Sequence, residues 1–154
     1  MEVVPSEIKD FDAWIALVKE VEHLFGPMAH EVSFQDGLKQ AILQKTAFCM
    51  RSEQNEGKQE LMGGVVISKE TNEIEWLAVS KKYRGHGYGK DLLNHAICQL
   101  DQQNEIYVQT FDESVPEGKA ARRLYVNFGF KDSKPGGLNP ARIDTVIMKK
   151  SKVS

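Results

Sequence analysis

The sequence of 154 residues has only two cysteines and no histidine cluster, which argues against a metal centre. Cys49 and Cys98 stand among apolar neighbours, in "AFCM" and "AICQL", and neither has a CxxC partner or a histidine at metal-ligand spacing. We therefore expect two small buried residues and no metal site. The histidines, at positions 23, 30, 86 and 95, are too scattered to form one.

Strong net charge and long apolar runs are also missing. The formal net charge is −2, which argues against a nucleic-acid coat or a polybasic membrane anchor. No apolar run approaches the roughly 20 residues of a membrane span. The N-terminus, "MEVVPSEIKDFD", is acidic and lacks the basic and apolar regions of a signal peptide. We therefore expect a cytoplasmic protein that has neither nucleic acid nor a membrane as partner.

The composition that is present is that of an ordinary globular protein, with 41% hydrophobic and 27% charged residues. Chains of this length usually fold as one domain and are long enough to bury a hydrophobic core. The sequence contains no internal repeat, linker or low-complexity segment. We expect a single domain over residues 1–154.

Apolar periodicity along the chain predicts both helices and strands. Helical spacing predicts helices over 10–25, 33–43, 88–100 and 119–128, with Ser33 as a candidate N-cap. Strands are predicted over 46–52, 61–68, 74–80 and 105–111, with a polar turn over 53–59, and two more in "GFKDS" and "IDTVIMKK" around the turn "PGG". We therefore expect an α/β fold, a mixed sheet with hairpin strands at its N-terminal side, a central parallel pair at a glycine-rich loop, and flanking helices.

That loop places Gly85, Gly87 and Gly89 within five positions, between an apolar strand and a helix. So many glycines are costly unless the backbone needs unusual dihedral angles or something must approach it closely. Where a strand ends at such a loop and a helix begins, several backbone N–H groups point the same way, at the positive end of the helix dipole. Flanked by Arg84 and Lys90, the loop is predicted to bind a phosphate. A tight turn is the alternative.

Spacing separates three kinds of glycine-rich phosphate loop. The dinucleotide fingerprint GxGxxG, counted from residue 85, fails at its sixth position, which is Lys90. A Walker A loop would need glycine at position 84 and serine or threonine at 91, and it fails at both. What remains is a strand that ends at Val79, four further residues, the segment "RGHGYG" and a helix.

This arrangement resembles the GNAT superfamily of acetyl-CoA-dependent N-acetyltransferases, whose signature is an apolar strand followed by Q/R-x-x-G-x-G/A. A later block, "AARRLYVNFGF", is similar to the family's A-x-x-x-Y-x-x-x-G-F segment. The resemblance covers roughly residues 62–131 and implies a GNAT-like fold with acetyl-CoA as cosubstrate and no metal. The matching residues of the two blocks are Arg84, Gly87, Gly89, Ala121, Tyr125, Gly129 and Phe130.

The resemblance also implies which residues hold acetyl-CoA. Main-chain groups of Leu77, Ala78 and Val79 would bind the pantetheine arm as an added strand would. Family members tend to carry an asparagine seven residues before the tyrosine, and that position is Gly118 here. The cofactor contact that the asparagine would make is therefore not expected in the same form. Lys119 is a candidate to contact the cofactor instead. The pyrophosphate would lie on the N–H groups of Arg84, Gly85, His86, Gly87, Tyr88, Gly89 and Lys90.

The chemistry needs a base, because an amine with a pKa of about 10.4 is almost wholly protonated at pH 7. Glu73 and Glu75 are the candidates, since period-two alternation puts both on one face of the strand that delivers the thioester. Glu73 matches a strand glutamate of some family members, and a solvated pair at the sheet rim is the alternative. The resemblance assigns Tyr125 as the acid that protonates the leaving thiolate, with a core aromatic as the alternative.

The sequence therefore predicts acetyl transfer from acetyl-CoA to a primary amine, on a small molecule or a peptide. Direct attack in a ternary complex is expected, since no cysteine matches the motif positions. A catalytically silent acyl-CoA-binding regulatory module is the alternative. In the family the N-terminal helices usually wall the acceptor site, and residues 1–48 carry eight acidic residues against four lysines, which hints at a cationic amine. A homodimer is compatible with the sequence.

Overall fold

The computed structural model of the chain describes residues 2–53 and 59–153, so the polar turn predicted over 53–59 lies almost wholly outside the described residues. The helices are α1 (Phe11–Glu20), α2 (Glu22–Phe25), α3 (Val32–Leu43), α4 (Tyr88–Gln99) and α5 (Lys119–Asn127). The strands are β1 (Val4–Pro5), β2 (Ala47–Arg51), β3 (Leu61–Ser68), β4 (Glu73–Val79), β5 (Ile106–Phe111), β6 (Phe130–Leu138) and β7 (Asp144–Lys150).

The strands form one sheet in the order β1-β2-β3-β4-β5-β7-β6. Every neighbouring pair is antiparallel except β4 and β5, which run parallel. A parallel pair needs a crossover connection, and α4 supplies it. The predicted mixed α/β sheet, with hairpins first and one parallel pair at its centre, is confirmed. In the part of the chain that the structure describes, no helix is long and apolar enough to cross a membrane.

The parallel pair separates soon after it begins. β4 pairs with β5 through Glu73 opposite Tyr107 and Ile74 opposite Val108, whereas it stays paired with β3 as far as Val79. The parallel pairing therefore lies at the end of β4 that is remote from the glycine loop. At the loop end, one edge of β4 faces a gap, where backbone groups can pair with a ligand as they would with another strand.

A β-bulge interrupts β4 at Glu75. In the pairing with β3, Val66 lies opposite Trp76 and Ile67 lies opposite Ile74, so Glu75 is an extra residue without an opposite partner on β3. A bulge of this kind shifts the alternation of side chains by one residue. Ile74 and Leu77, three positions apart, consequently contact the same core.

Helices cover both faces of the sheet. Along β2, alternate residues belong to different cores: Phe48 packs with α4, and Cys49 packs with α1 and α3. The core under α4 and α5 contains the buried side chain of Tyr125. The core under α1 and α3 centres on Trp14, which is fully buried and donates its Nε1–H to Ser6 Oγ over 2.9 Å.

The N-terminal third differs from prediction in its boundaries. The helix predicted over 10–25 is divided at Val21 into α1 and α2. The next helix begins at Val32 with Glu31 as N-cap, so the prediction of Ser33 as N-cap is wrong, because this serine lies already inside the first helical turn. The short strand β1 was not predicted, since two residues are too few for a periodic signal.

Two predictions nearer the C-terminus are corrected as well. The segment "PGG" is part of β6, and the turn between β6 and β7 follows it, where Asn139 Oδ1 accepts hydrogen bonds from the N–H groups of Ala141 and Ile143. Cys98 is exposed on α4, whereas Cys49 is buried as predicted. Ile97 is the last buried residue of α4, and Cys98, the next residue, lies outside the buried face of the helix.

Candidate active site

The glycine-rich loop leads from β4 into α4. After Val79 the chain makes a short 3₁₀ turn, and Gly87 is the N-cap of α4 with a φ of 81°. Gly85 also has a positive φ, of 84°. A residue with a side chain rarely adopts such angles, so backbone geometry explains these two glycines.

The start of α4 can hold an anion. The N–H groups of the first helical residues have no carbonyl partner within the helix, and the positive end of the helix dipole lies beside them. A Cβ built on Gly85 or Gly87 meets no atom within 4 Å, so the surface of the loop is unobstructed. Arg84 stays beside the loop, because its Nε–H donates to the carbonyl oxygen of Val79 over 3.2 Å.

A cavity of about 310 Å³ lies between this loop, the end of β4 and α5. His86 and Lys90, both exposed, do not line it, and the ring of His86 stacks on Tyr88 with 5.6 Å between centroids. The structure places the other predicted cofactor-binding residues around this one cavity: Leu77, Ala78, Val79, Arg84, Gly85, Gly87, Tyr88 and Gly89.

A second cavity, of about 540 Å³, adjoins the first between α3, the gap beside β4 and the turn after β6. Among its described lining residues, Glu75 and Tyr125 are the only ones with ionisable side chains. Most of the lining is aromatic or aliphatic, and includes Trp14, Phe25, Met28, Phe34, Leu38, Val66, Ile74, Trp76, Leu77, Val108, Phe111, Leu138 and Pro140.

The two cavities share a border. Five residues line both of them: Phe25, Leu77, Phe111, Ala121 and Tyr125. A molecule that follows the edge of β4 from the glycine loop therefore meets residues that also line the larger cavity, Tyr125 among them. Two reactants that enter from opposite sides can meet at this border.

Tyr125 is held rigidly at the border. It lies on α5, is 4% exposed, and packs edge-on against Phe130 with ring centroids 5.6 Å apart. Burial raises the pKa of Tyr125 above the usual range of a tyrosine. The hydroxyl, which already carries its proton near neutral pH at the ordinary pKa of a tyrosine, is a hydrogen-bond donor at this border.

The structure separates the two candidate glutamates. Glu75, the bulged residue of β4, lines the larger cavity together with Tyr125. Burial, and then the negative charge of Glu73, raise the pKa of Glu75. Glu73 lines neither cavity, and its Oε1 accepts a hydrogen bond from Thr71 Oγ1 over 2.7 Å at the turn before β4. Of the two glutamates, only Glu75 therefore lines a cavity that Tyr125 also lines.

Gly118 stands at the position where the resemblance leads us to expect an asparagine, and its packing does not admit one. The glycine is buried directly against Phe111, which leaves no room for a side chain. Lys119, the suggested substitute, is exposed and lines neither cavity. Glu117 lines the smaller cavity instead.

Sequence reasoning missed the aromatic walls. Phe25, Trp76 and Phe111 surround the border, with Phe25 stacked on Phe111 at 5.5 Å and tilted against Trp76 at 6.0 Å between centroids. In the sequence these residues carry no signal that distinguishes them from core aromatics. The turn after β6 completes the enclosure, since Asn139 Nδ2 donates to the carbonyl oxygen of Leu24 over 2.8 Å.

Comparison with known proteins agrees with this geometry. The family model described as "Acetyltransferase (GNAT) domain" matches residues 45–132. No curated protein matches the chain.

Solved structures with this fold span the whole chain. The chain is similar to a structure described as the NatC complex bound to Gag peptide and CoA, with a TM-score of 0.74, 21% identity, and coverage of 99% of this chain and 100% of that one. It is similar to NAA60 of Arabidopsis thaliana in complex with a bisubstrate analogue, with a TM-score of 0.72, 16% identity and 98% of each chain covered. It is also similar to Naa50 of the same plant in complex with the bisubstrate analogue CoA-Ac-MVNAL, with a TM-score of 0.68, 22% identity and 97% of each chain covered.

Proposed function

The chain belongs to the GNAT acetyltransferase family, and on that premise we propose that it transfers an acetyl group from acetyl-CoA to a primary amine by direct attack in a ternary complex. One observation carries this proposal: the cavity at the glycine loop and the larger cavity meet at Tyr125. A thioester bound along β4 and an amine bound in the larger cavity would come together there.

The residues around the smaller cavity suit acetyl-CoA. The loop at Gly85 and Gly87 offers backbone N–H groups and an unobstructed surface to a pyrophosphate. The unpaired edge of β4, from Leu77 to Val79, offers backbone groups to the amides of the pantetheine arm. We assign the cofactor-binding and catalytic core to residues 62–131 and the acceptor wall to residues 1–48.

Tyr125 is assigned as the acid. As the amine nitrogen bonds to the acetyl carbon and the carbon–sulfur bond breaks, the leaving thiolate needs a proton. Tyr125 donates it from its hydroxyl, which like that of any tyrosine is protonated at neutral pH. The proton removed from the amine, passed on through solvent, restores the hydroxyl. We also assign backbone N–H groups near Val79 to polarise the thioester carbonyl.

Glu75 is assigned as the base. At pH 7 only on the order of one amine molecule in 2,000 is the free base. A carboxylate that removes the amine proton therefore raises the rate of transfer by a large factor. Glu75 lines the acceptor cavity, and its raised pKa makes it a stronger base than an ordinary glutamate. Glu73, whose carboxylate accepts a hydrogen bond from Thr71, acts only through its negative charge, which raises the pKa of Glu75. A chain of water molecules that carries the amine proton away is the alternative to Glu75.

Two measurements test this function. The first follows CoA release with a panel of primary amines, where release above the rate of thioester hydrolysis is expected. The second measures acetyl-CoA affinity by calorimetry, where Gly87→Glu should abolish binding by placing a negative charge and a strained φ at the pyrophosphate site.

Asn94→Glu is the matched control, because it adds the same charge on an exposed position of the same helix, two turns further on. Unchanged affinity in Gly87→Glu would remove the glycine loop as the cofactor site. Binding of acetyl-CoA without transfer to any amine would identify the catalytically silent binding module instead.

A further inference from the structure

We propose that the acceptor is a primary amine attached to a bulky apolar group, which the larger cavity binds through its aromatic walls. This inference rests on the proposed acetyl transfer and specifies the substrate class of the same site. It differs from the expectation raised by the acidic N-terminal region, which favours a cationic acceptor.

The larger cavity has the volume and the apolar walls that such an acceptor needs. A volume of about 540 Å³ is large enough for an aryl or branched alkyl chain rather than an amino group alone. Phe34 and Leu38 of α3 face it from one side, and Trp76 and Phe111 face it from the sheet. Such walls gain free energy mainly by burying apolar surface.

The acidic residues of the N-terminal region lie outside the lining of the larger cavity. Glu22 Oε2 accepts hydrogen bonds from the N–H groups of Met28 and Ala29, over 2.7 and 3.0 Å. Glu20 accepts hydrogen bonds from Ser80 Oγ and from the backbone N–H of Lys81. No acidic residue between positions 2 and 48, all of which the structure describes, lines the larger cavity. The charge of Glu20 and Glu22 therefore stabilises local structure, and the N-terminal carboxylates do not form the wall of the larger cavity.

The single carboxylate in the cavity orients the amine. Glu75 is the only acidic residue among the described lining residues, and Tyr125 marks the border with the smaller cavity. An amine whose nitrogen lies near Glu75 and Tyr125 leaves its apolar group to contact the walls formed by Phe34, Trp76 and Leu38. A molecule with a second charge, such as a polyamine, would have to bury that charge among these side chains, which is costly.

A substrate panel tests the inference directly. The kcat/KM for CoA release is measured at saturating acetyl-CoA with 2-phenylethylamine, with ethylamine as the same amine without the ring, and with spermidine. 2-Phenylethylamine should exceed both by about tenfold or more, because ring burial adds binding free energy. The preference should persist in high salt, which weakens only charge attraction. The same measurement is made with tetrapeptides that begin with phenylalanine or serine. It distinguishes a peptide N-terminus from a small-molecule amine as the acceptor with an apolar group.

A charged residue introduced at the cavity provides an independent test. Gly37 lies on α3, lines the larger cavity, and would place a Cβ where no atom lies within 4 Å, so Gly37→Glu adds a carboxylate at the wall without a clash. We expect this variant to lower kcat/KM for 2-phenylethylamine severalfold, while calorimetry shows unchanged acetyl-CoA affinity. Gln40→Glu, on an exposed position of the same helix that does not line the cavity, should behave as the unmodified protein.

The outcomes separate this inference from the function on which it rests. Transfer to spermidine, ethylamine or the serine peptide as efficient as transfer to their apolar counterparts would overturn the inference and leave acetyl transfer standing. An unchanged kcat/KM for 2-phenylethylamine in Gly37→Glu would overturn it too. Transfer to no amine, with acetyl-CoA still bound, would overturn both.

Discussion

Gly118 and Phe111 are packed so closely that a Cβ on the glycine would lie 2.3 Å from the Cβ of the phenylalanine. Gly118 ends the 3₁₀ turn that precedes α5, and Phe111 is the last residue of β5. Phe111 also borders both cavities, and α5 carries Tyr125. The missing side chain at position 118 therefore sets how closely the helix that bears Tyr125 approaches the sheet.

We expect Gly118→Ala to destabilise the protein by about 1–3 kcal/mol, because the added methyl group must displace Phe111 or α5 from a packed position. The free energy of unfolding in urea measures this loss. Gly37→Ala is the matched control: its Cβ meets no atom within 4 Å, and alanine in a helix is more favourable than glycine by roughly 0.5–1 kcal/mol. Equal stability of the two variants would contradict the close packing at Gly118.

Tyr125→Phe should lower kcat by about a hundredfold or more and leave acetyl-CoA affinity near that of the unmodified protein. The substitution keeps the ring that packs against Phe130 and removes only the hydroxyl, so it deletes a group that acts mainly in the transition state. Steady-state kinetics with a primary amine and calorimetry with acetyl-CoA give the two quantities.

Tyr107→Phe serves as the control for removal of a hydroxyl. Tyr107 lies on β5 and donates its hydroxyl hydrogen to Glu105 Oε1 over 3.3 Å, away from both cavities. Its kcat should not change. If Tyr125→Phe also keeps the full kcat, then Tyr125 is a core aromatic and the acid lies elsewhere.

The sequence reveals the glycine loop because its chemistry is local. Gly87 must adopt a positive φ at the start of a helix, and strand, loop and helix follow one another without interruption. The predicted boundaries of β3, at 61 and 68, agree with Leu61–Ser68 for the same reason: eight residues carry a continuous apolar pattern. Features of this kind require no knowledge of what packs against them.

The acceptor cavity depends instead on contacts between distant segments. The bulge that turns Glu75 toward the larger cavity is set by the pairing of β4 with β3, so strict alternation along the sequence could not separate Glu75 from Glu73. Phe25 and Phe111 stack although they are 86 positions apart in the sequence. Nothing in either local sequence distinguishes a cavity wall from a core residue.

The ion pair of Asp10 with Arg51 should make stability depend on pH. Arg51 Nη2 lies 2.7 Å from Asp10 Oδ2 and joins the start of α1 to β2. Burial opposes ionisation of Asp10, but the hydrogen bonds from Arg51 and from the backbone of Glu7 outweigh it and lower the pKa of Asp10. The contribution of the pair to stability is therefore present above the pKa of an unfolded aspartate, about 3.9, and is lost as pH falls through the lower folded value.

Asp10→Asn should cost about 1–3 kcal/mol of unfolding free energy at pH 7, because Arg51 loses a charged partner. The difference from the unmodified protein should shrink as the pH is lowered below about 4. Asp36→Asn, on an exposed position of α3, should change the unfolding free energy by less than about 0.5 kcal/mol. A cost for Asp10→Asn that stays constant down to the lowest pH would show that packing, not charge, links the two segments.

The pH profile of acetyl transfer should identify the base. If Glu75 removes the amine proton, kcat/KM rises with pH through its ionisation, at a pH above that of an ordinary glutamate because burial and the charge of Glu73 raise its pKa. Glu75→Gln should lower the plateau, since an amide keeps the size of the side chain but cannot accept the proton. Glu73→Gln should keep the plateau and move the rising limb to lower pH, because it removes a negative charge that raises the pKa of Glu75. A plateau that falls in Glu73→Gln and survives in Glu75→Gln would make Glu73 the base, and a profile unaffected by either substitution would assign the proton to a water chain.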